Sequence, residues 1–186
     1  MYKNESLKKY LDDLSAKLPA PGGGSAAALS ASMGAALISM VINFTLGKQK
    51  YLEHESALKK ILAKSEKLRQ EFLNLVDLDV VAYKSKNLRD ALNVPFMVCR
   101  LSYEGIKLCP DLIKKGNINL VSDVAVAAAL LESAFVSAYF NVLINLKSLG
   151  DYKLSKGLLK ELTHKEMLIK RVRKLTEEKI GKIIRG

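Results

Sequence analysis

Three consecutive glycines, preceded by two prolines within residues 19–24, lead into about twenty small and apolar residues without a break. Proline fixes φ and glycine frees it, so residues 19–24 are incompatible with regular structure. Ser25 stands where an N-cap is expected, and the sequence predicts a buried helix from Ser25 to about Leu46. A loop that enters a helix in this way presents free backbone N–H groups and the positive end of the helix dipole, which together can hold an anion.

The predicted buried helix carries a row of polar side chains. Ser25, Ser32, Ser39 and Asn43 are spaced by seven, seven and four residues, which places them on one face. One interpretation is that small residues let helices approach closely while the serines bond back to their own backbone. The other is that this face lines a ligand site. Helix packing alone does not require three consecutive glycines, which counts against the first interpretation.

The rest of the chain also reads as helices. Hydrophobic residues make up 49% of the sequence, aromatic residues only 6%, and Trp is absent, a composition typical of helices rather than sheets. The pattern predicts one domain over residues 1–186, an all-α up-and-down helical bundle with two buried central helices. The predicted helices are 5–18, 25–46, 52–87, 96–108 after a break at Val94-Pro95, 109–115, 123–149 and 153–184.

The long helix 52–87 places a carboxylate on its apolar stripe. The stripe keeps a near-heptad period that includes Asp79, whereas Asp77 lies about 200° round the helix and is predicted to face elsewhere. A carboxylate on an apolar stripe is costly unless it is paired or functional. Asp79 is therefore either a structural group, an internal cap or one half of a buried ion pair, or a functional acid.

The second central helix, 123–149, carries its own polar row. Ser137, Asn141 and Asn145 are spaced by four residues, and Asp123 lies on roughly the same side. Ser122 or Asp123 is the predicted N-cap. Buried asparagines need hydrogen-bond partners, which either a neighbouring helix or a ligand can supply. We expect a ligand to lie where the polar faces of the two central helices meet.

Charge and cysteine content limit the other possibilities. The net charge is +11, and residues 153–186 contribute +7 of it. A basic chain can bind nucleic acid, an acidic membrane surface or a polyanionic small molecule, but a solvated lysine-rich helix face explains the same charge. Two cysteines (Cys99, Cys109) and two histidines (His54, His164) have no metal-ligand spacing, so no metal site is predicted. We expect a cytoplasmic protein, because the only two cysteines follow no secretory signal, and no membrane span, because helix 25–46 is rich in Ala, Ser and Gly.

Four stretches in order resemble the cyclodeaminase/cyclohydrolase family of folate enzymes. They are PAPGGGSAAA (19–28), LVDLDVVAY (75–83), NVPF (93–96) and GNINLVSDVAVAAALLESA…NVLINL (116–146). The resemblance covers residues from about 7 to 150. It implies one of two reactions, hydrolysis of 5,10-methenyltetrahydrofolate to 10-formyltetrahydrofolate or closure of formiminotetrahydrofolate with loss of ammonia. It also implies a homodimer and no cofactor beyond the tetrahydrofolate substrate. The lack of a transferase domain favours the hydrolase.

The resemblance and the helix faces together suggest residue roles. Asp79 and Asp123 are the candidate catalytic residues, as acid, base or electrostatic partner of the methenyl cation. Asn117, Asn141 and Asn145 are candidates to bond the pterin edge. The loop residues Gly22, Gly23, Gly24 and Ser25 are candidates to bind glutamate carboxylates, with a basic rim for a polyglutamate tail.

Two alternatives of other classes remain at this stage. A non-enzymatic basic helical protein that binds nucleic acid is supported by the charge, but no basic-aromatic motif or recognised module accompanies it. A purely structural bundle is the other alternative, and the polar faces and glycine loop count against it.

Overall fold

The computed structural model describes residues 1–186, and all of its regular structure is helical. The prediction of an all-α fold is therefore confirmed. Short 3₁₀ turns lie at Tyr2–Asn4, Gln49–His54 and Ile118–Leu120. The α-helices are α1 (Leu7–Ser15), α2 (Gly23–Asn43), α3 (Glu55–Ser85), α4 (Leu88–Ile106), α5 (Cys109–Lys115), α6 (Val121–Leu149) and α7 (Tyr152–Arg185).

The three serines of α2 join this helix to α3. Their spacing of seven residues is close to two helical turns, so all three hydroxyls reach the same neighbour. The serines bond α3 and not their own helix, so the predicted back-bonding was wrong, and a ligand site on this face stays a prediction. The bonds run from Ser25 Oγ to Val76 O (3.0 Å), from Ser32 Oγ to Arg69 O (3.2 Å) and between Ser39 Oγ and Ser65 Oγ (2.8 Å).

Close packing brings α2 against α6 in the antiparallel direction. A Cβ at Gly34 would lie 2.9 Å from Leu131 Cγ, so the two backbones approach too closely there for any larger residue. At the start of α2, a Cβ at Gly23 would lie 3.6 Å from the side chain of Asn141. The N-terminus of α2 therefore meets the C-terminal half of α6. Together with the antiparallel α2 and α3, this confirms the up-and-down bundle.

The two central helices differ in how deeply they are buried. Most of the circumference of α2 lies in the core, but α6 keeps apolar side chains in solvent, including Phe140 (67% exposed) and Ile144 (57% exposed). Segments Gly23–Asn43 and Ile118–Leu149 are long and apolar enough to cross a membrane by length and composition. In this fold 61% of the most apolar window of the first segment and 39% of that of the second are buried, and core helices commonly meet the same two criteria.

The predicted break at Val94-Pro95 was wrong, because α4 continues through Pro95. A proline inside a helix removes one N–H, which leaves the carbonyl group four residues earlier without its donor. Here that carbonyl belongs to Ala91, and Asn145 Nδ2 of α6 donates to it at 2.6 Å. A side chain from a neighbouring helix thus replaces the missing backbone bond.

The predicted N-caps were also wrong. Helix α2 begins at Gly23 with Gly22 as its cap, three residues before the predicted cap Ser25. Helix α6 begins at Val121 with Leu120 as its cap, so Asp123 lies inside the first turn. Neither cap residue supplies a side-chain acceptor. In α2 a carboxylate from another helix performs that function, and this contact organises the site described below.

Candidate functional site

A cavity of about 240 Å³ opens at one end of the bundle, where α2 begins and α6 approaches its end. It contains six of the nine residues predicted for the site. Ser25 lies directly behind the cavity wall. The cavity is lined by Pro19, Ala20, Gly22, Gly23, Gly24, Asp79, Tyr83, Ala91, Asn141 and Asn145.

Asp79 is held against the first turn of α2. The backbone N–H of Ser25 donates to Asp79 Oδ2 at 2.9 Å, and a Cβ at Gly24 would lie only 2.1 Å from Asp79 Oδ1. Glycine is therefore required at position 24 for the carboxylate to reach this place. Burial raises the pKa of Asp79 above its ordinary value, and the bond from the Ser25 N–H partly opposes that rise.

This contact concerns the predicted role of the glycine loop in substrate binding, which stays a prediction. The first turn of α2 was expected to bind the carboxylates of a substrate. It binds Asp79 of the chain itself, which is the favourable placement of an anion at a helix N-terminus. A second anion beside Asp79 would be repelled, so the cavity suits a cationic or hydrogen-donating group instead.

Tyr10 supports this arrangement from α1. Its hydroxyl donates to Ser25 Oγ at 3.1 Å, and its side chain is 4% exposed. Burial raises the pKa of Tyr10, and the nearby charge of Asp79 raises it further, so the hydroxyl keeps its proton. Tyr10 is not among the residues that the sequence predicted for the site. The available signal was a single phenol among leucines, since a buried Tyr hydroxyl usually has a partner.

Asn141 and Asn145 turn acceptor oxygens towards the same cavity. Asn141 Nδ2 donates to Ser137 O at 2.9 Å, and Asn145 Nδ2 donates to Ala91 O. Each amide nitrogen is thus bonded to backbone, and the side-chain oxygens have no partner in the chain. Together with Asp79 they form a group of acceptors, which matches a ligand rich in N–H donors or carrying positive charge.

Asp123 and Asn117 lie at the other end of the bundle. Asp123 precedes Asn141 by eighteen residues of one continuous helix, which corresponds to about 27 Å. Asn117 donates its backbone N–H to Thr45 Oγ1 and accepts from the N–H of Asn119, so it organises a turn. The prediction that these residues share one cleft with Asp79 was wrong for a single chain, because α2 and α6 are antiparallel. Their functional roles stay predictions.

Asp77 is more deeply buried than the sequence indicated. It was predicted to face away from the core, yet it is 2% exposed and neither carboxylate oxygen has a hydrogen-bond partner. The reason lies in the N-terminal 3₁₀ turn, which packs on the face of α3 that carries Asp77. Its side chain borders a second cavity on that face and does not enter the cavity of Asp79.

Neither thiol nor metal chemistry is favoured by the residues of this chain. Burial raises the pKa of Cys109 to about 12 and raises that of Cys99 as well, so both thiols stay protonated. No group of three or more His, Cys, Asp or Glu side chains is placed to hold a metal ion. The reactive candidates at the cleft are therefore one carboxyl group and its surrounding amides.

The fold and the site together define an all-helical bundle protein with a polar cavity at one end, lined by a half-buried carboxylate and two amide side chains. Comparisons with known proteins make the assignment more definite. The model of the family described as formiminotransferase-cyclodeaminase matches residues 6–86 and 85–164. The chain belongs to this family, which the sequence motifs had indicated.

Individual relatives carry two different names. A methenyltetrahydrofolate cyclohydrolase of Methylorubrum extorquens is 40% identical over 185 residues, covering 87% of this chain and 89% of the relative. A formimidoyltransferase-cyclodeaminase of Mus musculus is 31% identical, and the match covers 86% of this chain but 33% of the mouse protein. The crystal structure of a formiminotetrahydrofolate cyclodeaminase from Thermotoga maritima superposes with a TM-score of 0.94 at 30% identity, covering 99% of this chain and 100% of that one.

Proposed function

We propose that this protein is a folate one-carbon enzyme that hydrolyses 5,10-methenyltetrahydrofolate to 10-formyltetrahydrofolate. The observation that carries the proposal is the position of Asp79, whose half-buried carboxylate borders a cavity that Asn141 and Asn145 also line. The methenyl group is a cation, and a carboxylate in a site of low dielectric stabilises it. The cyclohydrolase relative supports the same reaction, because its match extends over nearly the whole length of both chains.

The chemistry assigns Asp79 two successive roles. As water attacks the methenyl carbon, a C–O bond forms and Asp79 accepts the proton that the water loses. The resulting tetrahedral carbon then breaks its bond to one ring nitrogen, which takes the proton from Asp79, while the new hydroxyl releases its own proton to solvent and becomes the formyl C=O. The raised pKa of Asp79 favours this return, since the protonated carboxyl is better tolerated when buried. The Asn141 and Asn145 oxygens orient the pterin by accepting its N–H groups.

Cyclodeamination is the second candidate function. It is favoured by the Thermotoga structure, whose protein is named a formiminotetrahydrofolate cyclodeaminase and which matches the entire bundle. In that reaction one nitrogen of the folate attacks the formimino carbon, and ammonia leaves after it gains a proton. The same carbon becomes tetrahedral, so the same carboxyl group serves as proton donor and acceptor.

One pair of assays separates the two functions. The purified protein is mixed in parallel with methenyltetrahydrofolate and with formiminotetrahydrofolate, and loss or gain of methenyl absorbance is followed. We expect loss of the methenyl signal from the first substrate, at a rate that falls in Asp79→Asn. Turnover of the second substrate alone would identify a deaminase. Turnover of neither substrate by folded protein would refute both assignments.

The proposal extends to a homodimer formed through the exposed apolar face of α6. Phe140 and Ile144 lie beside the cleft residues Asn141 and Asn145 on the same helix, so a partner on this face would also enclose the cavity. The cavity is smaller than the range of about 300–1,000 Å³ typical of ligand sites, and a partner would enlarge it. Light scattering tests this proposal: Phe140→Glu should give monomers, whereas Leu175→Glu on α7 should not.

Three further expectations belong to the same proposal. We propose that the basic α7 surface binds the glutamate tail of a polyglutamylated folate, rather than nucleic acid. The reaction as written needs no metal or redox cofactor, and Asp79 supplies its proton transfer. We also propose a cytoplasmic location without membrane insertion. A comparison of the activity with mono- and polyglutamylated substrates tests the binding of the glutamate tail. Recovery of the activity in membrane-free cell extract tests the cytoplasmic location.

A further inference from the structure

Tyr83 is the one aromatic residue in the wall of the cavity that Asp79 borders. The other apolar residues of this wall are Pro19, Ala20 and Ala91, so the phenol ring supplies its only large flat surface. Tyr83 is 59% exposed. Single exposed aromatic rings are common on protein surfaces, so the exposure by itself indicates nothing. The position of the ring in the wall of the candidate site is the informative observation.

Tyr83 lies one helical turn beyond Asp79 on α3. A spacing of four residues places both side chains on the same face and corresponds to a rise of about 6 Å along the axis. Asp79 lies against the first turn of α2, where the Ser25 N–H donates to it. Tyr83 lies two residues before the end of α3 at Ser85, in contact with solvent. The wall therefore runs from a carboxylate inside to an aromatic ring at the mouth.

The chain itself provides no polar partner for this phenol. Five of the seven tyrosines have either a hydrogen bond to the hydroxyl or a lysine over the ring. They are Tyr2, Tyr10, Tyr51 and Tyr139 through their hydroxyls and Tyr103 through its ring. Tyr83 and Tyr152 have neither contact, and of these two only Tyr83 lines the candidate site. Its ring is therefore available to a molecule in the cavity.

We propose that Tyr83 is a specificity-determining residue whose ring packs against the p-aminobenzoyl ring of the folate, an inference that rests on the proposed function. In methenyltetrahydrofolate the methenyl carbon is bonded to N10, and N10 also carries the aminobenzoyl ring. When Asp79 faces the methenyl cation, the aminobenzoyl ring therefore begins beside it and extends over the phenol one turn further along α3. Two aromatic rings in such a position pack favourably in an offset or edge-to-face arrangement.

Steady-state kinetics with the folate that the wild type turns over test this role. Tyr83→Ala removes the ring and should raise KM about tenfold, with kcat within about threefold, because the chemical step uses Asp79. Tyr83→Phe keeps the ring and should stay within about twofold of wild type in both constants. Phe44→Ala is the matched control, since Phe44 is also 59% exposed but follows the far end of α2, and its loss should leave KM unchanged.

A fragment that carries the aminobenzoyl ring without the pterin isolates the contact. p-Aminobenzoylglutamate should inhibit wild type and Tyr83→Phe competitively, with an inhibition constant about tenfold higher in Tyr83→Ala. Absence of competitive inhibition in an active wild type would overturn the proposal, and so would equal inhibition constants in wild type and Tyr83→Ala. A loss in Tyr83→Phe equal to that in Tyr83→Ala would assign the effect to the hydroxyl and overturn it as well.

The same experiments separate this inference from the proposed function. A folded wild type that turns over neither folate would refute the proposed function itself. An active enzyme whose KM is unchanged in Tyr83→Ala would refute only the role of Tyr83. Light scattering on the same preparations should give one mass for wild type and variants, and a changed mass in Tyr83→Ala would assign the ring to a subunit contact and overturn the inference.

Discussion

Asn145 supplies the hydrogen bond that Pro95 removes from α4. Its Nδ2 donates to the Ala91 carbonyl oxygen at 2.6 Å, and that carbonyl lies four residues before the proline. The amide therefore joins the first turn of α4 to the end of α6 at the edge of the cleft. The side-chain oxygen of Asn145 has no partner in the chain and is free to bind a ligand. The amide nitrogen therefore has a structural role, and the amide oxygen is a candidate binding group.

A double-mutant cycle separates these two halves. Asn145→Ala should lower the free energy of unfolding by about 1–3 kcal/mol, because the Ala91 carbonyl loses its donor. In a Pro95→Ala background the helix regains its own N–H, and the same change should cost clearly less. Chemical denaturation of the four proteins measures the coupling. Equal costs in both backgrounds would show that Asn145 does not compensate for the proline.

Replacing Asp79 by Asn should abolish most activity without unfolding the protein. Turnover of methenyltetrahydrofolate should fall by about 100-fold or more, the usual effect of losing an acid or base. Stability should be unchanged or higher, because the folded protein disfavours the buried charge and the Ser25 N–H can still donate to the amide oxygen. A large drop in Tm with full activity per folded molecule would instead make Asp79 structural.

The same variant has a definite pH dependence. The folded-state pKa of Asp79 is raised, so the ionised carboxylate reduces stability once pH exceeds its ordinary value of 3.8. This penalty grows as pH rises from that value to the folded pKa and is constant above it. The Tm of Asp79→Asn minus that of wild type should therefore increase across this window and then level off. A difference that shrinks with rising pH would contradict the burial argument.

Gly24→Ala should displace the Asp79 carboxylate. The added Cβ would lie 2.1 Å from Asp79 Oδ1, so the side chain must move away from the helix N-terminus and lose its bond to Ser25. We expect both lower stability and a loss of turnover comparable to that of Asp79→Asn. Gly157→Ala is the control for the glycine change itself. Its Cβ meets nothing within 4 Å in α7, and it should be stabilising by about 0.5–1 kcal/mol.

Asp123→Asn tests whether a second chain contributes to the site. Within one chain Asp123 is about 27 Å of helix away from Asn141, so the variant should keep turnover within about twofold. Steady-state kinetics and melts on the same preparation provide the comparison. A loss of about 100-fold in a folded protein would mean that the partner of a dimer brings its Asp123 to the cleft.

The sequence was sufficient for the fold because its main signals are local. Helical periodicity, which predicts the helices, depends only on residues within a few turns of one another. The same holds for the glycine loop, which marks the start of α2, and for Gly116, which follows the end of α5. The predictions that were wrong concern positions where a residue far away in the sequence supplies a missing contact. Pro95 was taken to break a helix because its rescuer, Asn145, lies fifty residues later.

In the candidate site, too, the sequence predicted local features but not the contacts between distant segments. The motif residues Gly24 and Asp79 were identified, but their mutual contact depends on the direction in which α2 and α3 pack. Helical phase predicted that Asp79 was the buried carboxylate and Asp77 was not. Burial of Asp77 comes from the N-terminal turn that covers it, and periodicity within one helix does not describe a cover from elsewhere in the chain.

The antiparallel packing of α2 and α6 also separates the candidate site from the connections at the opposite end of the bundle, which matters for protein engineering. The reactive group, both amides and the glycine loop lie at one pole, whereas the connections 44–54 and 116–120 lie at the other. Gly47, in connection 44–54, adopts the left-handed backbone conformation, and no other group lies within 4 Å of the position that a Cβ would take. A linker, a reporter or a second catalytic module fused at this distal pole would leave the chemical pole unaltered, so the scaffold accepts new functions without redesign of the old one.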